Sequence, residues 1–270
     1  MMKFRFVFLF MVIFMACDDP SLNDRAVDSD IIEPVSDLTQ LASIQIAQDI
    51  ATNIVGTITL SYNAKDLVET ILDSRTGEPS YELVYNANNS LQQATKTENG
   101  IITTYDVTYE NDIITVDINT PGANTQVKTL FTDLQNRINR VVLSELDTMG
   151  NSTNLEDVRY SFDPNFNVTV VNYISMITGN TMRSSRFTYG LNQNAFSDMN
   201  DLVKLLAFED FIPYTQVMPS TQQDFVSGIL QSNATINYTL RDDNFPNSRE
   251  ITTTAGGSST TRFEFFNYLP

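Results

Sequence analysis

Histidine and tryptophan are missing from this 270-residue chain, and cysteine occurs once, at Cys17. Cys17 ends an apolar N-terminal run, so the body beyond it holds neither thiol nor imidazole. That excludes a Ser-His-Asp triad, a Cys-His pair, a histidine metal site and a structural disulfide. Acid–base chemistry near neutral pH falls to Asp and Glu, or to a strongly shifted Lys or Tyr. Positive charge is also scarce: 16 Lys and Arg stand against 33 Asp and Glu, a formal net charge of −17. This balance argues against nucleic acid as a partner, because phosphate binding needs cations to displace counterions. It argues equally against broad attraction to an anionic bilayer, so membrane attachment would have to be covalent. Neither a phosphate-cradling glycine loop nor a dinucleotide fingerprint occurs, and no cofactor is implied.

What is present begins with an address. Lys3 and Arg5 precede an unbroken apolar stretch from Phe6 to Phe14. It falls well short of the roughly 20 residues that span a bilayer as a helix, and residues 1–16 read as a secretory signal. Phe14-Met15-Ala16-Cys17 resembles a bacterial lipobox, with Ala16 as the small residue before the cysteine; Phe14 and Met15 depart from the usual Leu and small residue. The resemblance implies lipidation of Cys17, and at about 0.8 kcal/mol per buried CH₂ several acyl chains make a lasting anchor. Residues 17–34 are rich in Asp and end at Pro34, and their like charge predicts a flexible acidic tether. Asp18 and Asp19, directly after the cysteine, resemble the export signal of Bacteroidetes surface lipoproteins. That resemblance implies an outer-membrane location facing outward, with the periplasmic face as the alternative.

Residues 35–270 read as one antiparallel β domain. Ile58, Leu60 and Tyr62 alternate with Thr57, Thr59 and Ser61, and Ile114, Val116 and Ile118 with Thr115 and Asp117. The pattern recurs at Val158, Tyr160 and Phe162, at Ile236, Tyr238 and Leu240, and at Phe263 and Phe265. Period two predicts strands with one packed face and one wet face. The breaks carry turn chemistry, as at Asn99-Gly100, Met149-Gly150-Asn151, Asp163-Pro164-Asn165 and Gly256-Gly257. Aromatics recur at Tyr62, Tyr85, Tyr109 and Phe131, spaced 23, 24 and 22 positions, each opening onto a polar turn or a further strand. Such a period suggests hairpins that each bury a face on the next. One stretch breaks the β pattern. Met199, Leu202, Val203, Leu206 and Phe208 follow helical spacing over about 198–209, with Ser197 as N-cap and Pro213 as the stop. Such a helix is expected to close one end of the sheet's core; a lid or a partner-docking helix are the alternatives.

These residues resemble the Tyr-Asp type repeats of bacterial surface proteins. They are more similar to a Bacteroidetes lipoprotein family of unknown function with a porin-like β fold, most visibly in Tyr238, Asn244-Phe245-Pro246 and Thr261-Arg262-Phe263-Glu264-Phe265. The resemblance implies a shape and an envelope location, and no mechanism. A membrane barrel needs an apolar outer band, whereas the wet faces here carry Thr, Asp, Glu and Asn. The fold expected is therefore all-β: a curved, water-facing antiparallel meander of hairpins, open or partly closed into a barrel, with one inserted helix.

Candidate chemistry is sparse. Asp242-Asp243-Asn244 and Asp163-Pro164-Asn165-Phe166-Asn167 gather oxygen ligands, yet lack the glycine and terminal Glu of a calcium loop and read as turns. Glu209-Asp210 and Glu156-Asp157, the latter read as a loop, are carboxylate pairs open to glycosidase chemistry. The 11 Tyr and 17 Phe could stack on sugars, but most lie on the apolar phase. Asp147-Thr148-Met149 resembles the Bacteroidetes O-glycosylation acceptor, with Thr148 as the modified residue. The reading is a lipid-anchored, non-enzymatic envelope protein presenting a β surface to a glycan or an envelope protein. A carboxylate-only hydrolase and a purely structural envelope component are the alternatives.

Overall fold

The computed structural model describes residues 40–208 and 217–269. Cys17, Asp18, Asp19, the tether, Glu209-Asp210 and Pro213 lie outside the described residues.

Sixteen strands run up and down in chain order. The first eight are β1 (Leu41–Gln48), β2 (Ile54–Tyr62), β3 (Val68–Asp73), β4 (Ser80–Tyr85), β5 (Leu91–Glu98), β6 (Ile101–Glu110), β7 (Ile113–Asn119) and β8 (Gln126–Thr132). The second eight are β9 (Ile138–Leu146), β10 (Ser152–Phe162), β11 (Val168–Ser175), β12 (Thr181–Gln193), β13 (Val217–Val226), β14 (Ile229–Leu240), β15 (Pro246–Ala255) and β16 (Ser258–Tyr268). Each pairs with its sequence neighbours, and β1 pairs antiparallel with β16, so the sheet closes into a barrel and leaves no edge. The closure is complete, beyond the partly closed sheet that alternation alone suggests.

The apolar phase of the strands points into the lumen. Ile44, Leu60, Leu91, Val116, Leu130, Val168 and Phe266 belong to one buried cluster drawn from strands all around the ring, which only the interior can hold. The outer wall is mixed: it carries paired hydroxyls, Ser61–Thr70 at 2.6 Å, Thr188–Thr221 at 2.6 Å and Thr254–Ser259 at 2.8 Å, beside scattered exposed apolar side chains such as Leu72 and Val84. Cross-strand hydroxyl pairs of this kind suit a sheet face in water, where a bilayer-spanning barrel carries an apolar band.

One end we call the mouth. There Asn99 (φ 51) and Gly100 (φ 78) make the two-residue loop between β5 and β6, where both positions need the left-handed region, while the β3–β4 and β7–β8 connections run to six residues. At the other end, the floor, several turns repeat one device, which the mouth-end turn at Asp147 shares. An Asx side chain accepts two backbone N–H bonds, Asn63 from Lys65 and Leu67, Asn86 from Asn88 and Ser90, and Asp163 from Asn165 and Asn167. The residue three positions on turns left-handed, at Asp66, Asn89 and Phe166. The calcium-like Asp163 segment is thus a turn whose carboxylate is already occupied.

The floor is sealed by α1 (Asp201–Ala207) and the segment leading into it. Leu202, Val203 and Leu206 join the core cluster with Ala195, Phe196, Met199 and Phe208. The helix starts later than its apolar spacing suggests. Asn200, not Ser197, is the N-cap and accepts from the Leu202 N–H. The preceding residues form a turn instead, with Ser197 N–H on the Asn194 carbonyl.

Tyrosines lock the hairpins at the floor. Hydroxyls of Tyr62, Tyr85 and Tyr109 donate to the carbonyls of Leu41, Val68 and Leu91 at 2.7, 2.8 and 3.0 Å. Tyr189 donates likewise to Val168, and Tyr238 and Tyr268 to Pro219 and Pro246 at 2.8 Å. Each bond joins the far end of a hairpin's second strand to the start of its first. Two aromatics depart from this scheme. Phe162 has no hydroxyl and is covered by the Arg137 guanidinium at 4.4 Å. Phe131 faces outward, under Arg140 at 5.2 Å, because Leu130 takes the inward phase of β8.

The phase of β16 is also the reverse of the one its phenylalanines suggest. Glu264 and Phe266 are buried in the lumen, and Phe263 and Phe265 lie on the outer face. Tyr268 must point inward to reach the Pro246 carbonyl, and that bond fixes every second residue before it.

Candidate functional site

With the floor packed by apolar side chains, the remaining space in the lumen lies toward the mouth. A cavity of about 450 Å³ opens against β13 to β16, β1 and β2, lined by Gln222, Asp224, Arg249, Ile251 and Arg262 and by Arg75 from the β3–β4 turn. A second, about 440 Å³, lies against β5 to β9 and includes Lys96, Glu98, Tyr105 and Lys128. Both volumes fall within the about 300–1,000 Å³ of ordinary ligand sites.

The first cavity has the more elaborate wall. Glu264 on β16 is buried, its side chain 2% exposed, and so is Arg249 beside it on β15 at 4%. Arg249 donates through Nε at 2.7 Å and Nη2 at 2.6 Å to the same oxygen, Oε2. Arg262, 42% exposed, approaches the other oxygen through Nε at 3.0 Å. A carboxylate in the core is tolerated because two guanidiniums flank it. Asp224 is held differently, by Ser185 Oγ and Ser232 Oγ at 2.7 Å each and by Gln222 Nε2 at 3.1 Å. Both of its oxygens are engaged, which suits a structural hub of β12 to β14 better than a free base.

Arg75 reaches the cavity from the mouth. Its Nε and Nη2 bond Asp73, the shortest contact being 2.6 Å, and this bonding pushes the guanidinium further above its ordinary range. Gly56 on β2 makes the path possible. A Cβ at that position would stand 2.1 Å from the Arg75 Cγ. Gly56 is therefore a slot for the arginine stem and not a turn residue.

On the outer wall, Asp157 is 1% exposed and takes bonds from Arg140 Nε and Arg159 Nη2 at 2.8 Å each. Burial pushes this carboxyl up, but the two guanidiniums outweigh burial and hold it below the usual carboxylate range. Glu156-Asp157 is thus part of β10, not a loop, and its two side chains point to opposite faces of the wall. Such an arrangement cannot form a catalytic carboxylate pair. Among the described residues no cluster of three or more His, Cys, Asp or Glu side chains is placed to hold a metal ion.

Thr148 is exposed in the mouth-end turn between β9 and β10, beside Asp147, whose carboxylate accepts from the Met149 and Asn151 backbone. Among the described residues none given a site role from the sequence lines the cavity. Arg262 figures there only as part of a resemblance, and Arg75 and Arg249 were missed; the available signal was their place among apolar residues on the inward phase, as with Arg262 and Glu264 leading to Phe266.

No family model and no curated protein matches the chain. A solved structure shares its fold, and a second stands beside it as a weaker likeness. A porin-like protein from Bacteroides uniformis is 13% identical, with a TM-score of 0.54 over 86% of this chain and 98% of the other. A porin-like protein from Bacteroides vulgatus is 12% identical, with a TM-score of 0.42 over 86% of this chain and 99% of the other. At such identities the likeness is one of fold, an antiparallel barrel of the porin-like kind.

Proposed function

We propose that the chain is a non-enzymatic, lipid-anchored protein of the cell envelope that binds a small polar ligand, a glycan before all, in the mouth of its barrel. The observation that carries this reading is the asymmetry of the lumen: an apolar floor and a polar cavity open at the opposite end. The sealed floor argues against a through-pore. The hydroxyl-paired outer wall argues against burial of the barrel in a bilayer. An anchor on Cys17, followed by an acidic tether of residues 18–34, would hold the barrel at a membrane. Asp18 and Asp19 as an export signal would put that anchor on the outer face of the outer membrane. A hydrolase gains no support from the cavity, where both oxygens of Asp224 are bonded and Glu264 is held in ion pairs with Arg249 and Arg262.

The test is a glycan screen against purified residues 18–270, repeated with Ala234→Trp, which fills the cavity from β14. Binding that this variant abolishes, with its thermal unfolding unchanged, supports the reading. Binding indifferent to it would move the site elsewhere, and no binder at all would leave the structural-component alternative ahead. Protease shaving of intact cells, with a periplasmic protein as leakage control, tests the outward orientation.

A further inference from the structure

We propose that the larger cavity recognises an oxyanion, a carboxylate or sulfate group on a small polar molecule, through the guanidiniums of Arg75 and Arg262. This rests on the lumen being a binding cavity and adds the chemistry of its ligand.

The cavity runs against the character of the chain. A protein with 33 acidic and 16 basic residues places three arginines and one aspartate on this wall. Two of the arginines, Arg249 and Arg262, share the single Glu264 carboxylate, and Arg75 pairs with Asp73 and lies 3.6 Å from Glu78. With Asp224 counted the wall carries no net positive charge, so what it offers an anion is directed guanidinium N–H groups, and the most accessible of these are on Arg262. Arg249 is buried against Glu264, while Arg262 meets it only through Nε and is far more exposed. Among the described residues both Nη groups of Arg262 are without a partner. Arg75 spends Nε and Nη2 on Asp73, and its Nη1 is likewise open among the described residues.

The two open faces are brought into one cavity from β16 and from the β3–β4 turn, across the width of β1 and β2. Glu264 acts on Arg75 electrostatically, which marks their proximity. Gly56 is what permits it, since any side chain there would push the Arg75 stem off the wall. Asp224 faces the same space, but hydroxyl and amide donors already satisfy it. Forked guanidiniums match the planar geometry of carboxylates and the tetrahedral oxygens of sulfate or phosphate. Thr253 and Thr260 supply hydrogen-bonding groups for a polar body around that anion.

Calorimetric titration of residues 18–270 at low salt tests this, with glucuronate, glucose and inorganic sulfate as probes. Glucuronate or sulfate is expected to bind and glucose not. Sulfate alone would mark a free-oxyanion site, and glucuronate alone a carboxylated-sugar site. Arg262→Gln and Arg75→Gln should each weaken binding at least tenfold, Arg262→Lys should keep part of it, and Gly56→Ala should mimic the loss of Arg75. Lys65→Gln, on an exposed floor turn, should leave the affinity unchanged, and circular dichroism checks that each variant is folded. Anion binding indifferent to both Arg→Gln changes overturns the proposal, as does silence from both anions. If glucose binds as well as glucuronate and only Ala234→Trp blocks it, the cavity reading stands and the anion inference falls.

Discussion

The Tyr62 hydroxyl donates to the Leu41 carbonyl at 2.7 Å, tying the last residue of β2 to the first of β1. The bond satisfies a core carbonyl at the floor with a side chain that also fills the core. Removing only the oxygen, in Tyr62→Phe, should cost about 0.5–1.5 kcal/mol, the net worth of one such bond. Urea unfolding would read it as a lower midpoint at unchanged slope.

Burial first, and the charge of Asp198 second, push the Tyr62 phenol from 10.0 up to about 12. Burial raises Tyr85, Tyr189 and Tyr268 as well. A phenol raised in the folded state adds stability that is complete below its unfolded value near 10 and is lost as pH climbs toward 12. The barrel should therefore unfold in alkali within that window. Tyr62→Phe should flatten part of the loss, seen as stability against pH from 9 to 12.

Acid should act through the outer wall. The Asp157 carboxyl is depressed below 3.8, so its contribution is present above that value and disappears as pH falls through the lower folded one. Asp157→Asn should cost about 1–3 kcal/mol at neutral pH, since bonds to charged groups are lost on both sides. The gap between the variant and the parent should narrow as pH falls below 3.8. Unchanged stability at pH 7 would show that Arg140 and Arg159 add nothing there.

The floor plug offers a further check. Leu206→Ala should destabilise by about 2–5 kcal/mol, the range for emptying a packed leucine site. If the same change also speeds hydrogen exchange of the buried floor amides well before global unfolding, the helix is what holds that end of the core closed.

Strands and turns were legible because period two and Asx or glycine breaks are local. Ile114, Val116 and Ile118 face inward as their alternation says, and Asp163 makes the turn its neighbours imply. Closure was not legible, because it rests on pairs such as Ser43 with Asn267, 224 positions apart. The phase of β16 was misjudged since Phe263 and Phe265 outweigh a lone Glu264 until two arginines are known to reach it. The cavity was hidden for the same reason. Gly56 reads as a weak strand residue until Arg75, from another hairpin, is found lying on it.

The seam between first and last strands has a consequence of its own. Leu41 faces Tyr268, and the Leu269 N–H donates to the Gln40 carbonyl at 2.8 Å. This seam is a hairpin that lacks only its turn. A short linker there, with the chain reopened at Gly256-Gly257, would give a circular permutant with every strand pair intact. Its chain ends would then lie at the mouth and not at the floor. The end of the barrel at which the chain begins is thus a property of where the ring is cut and not of how its strands pair.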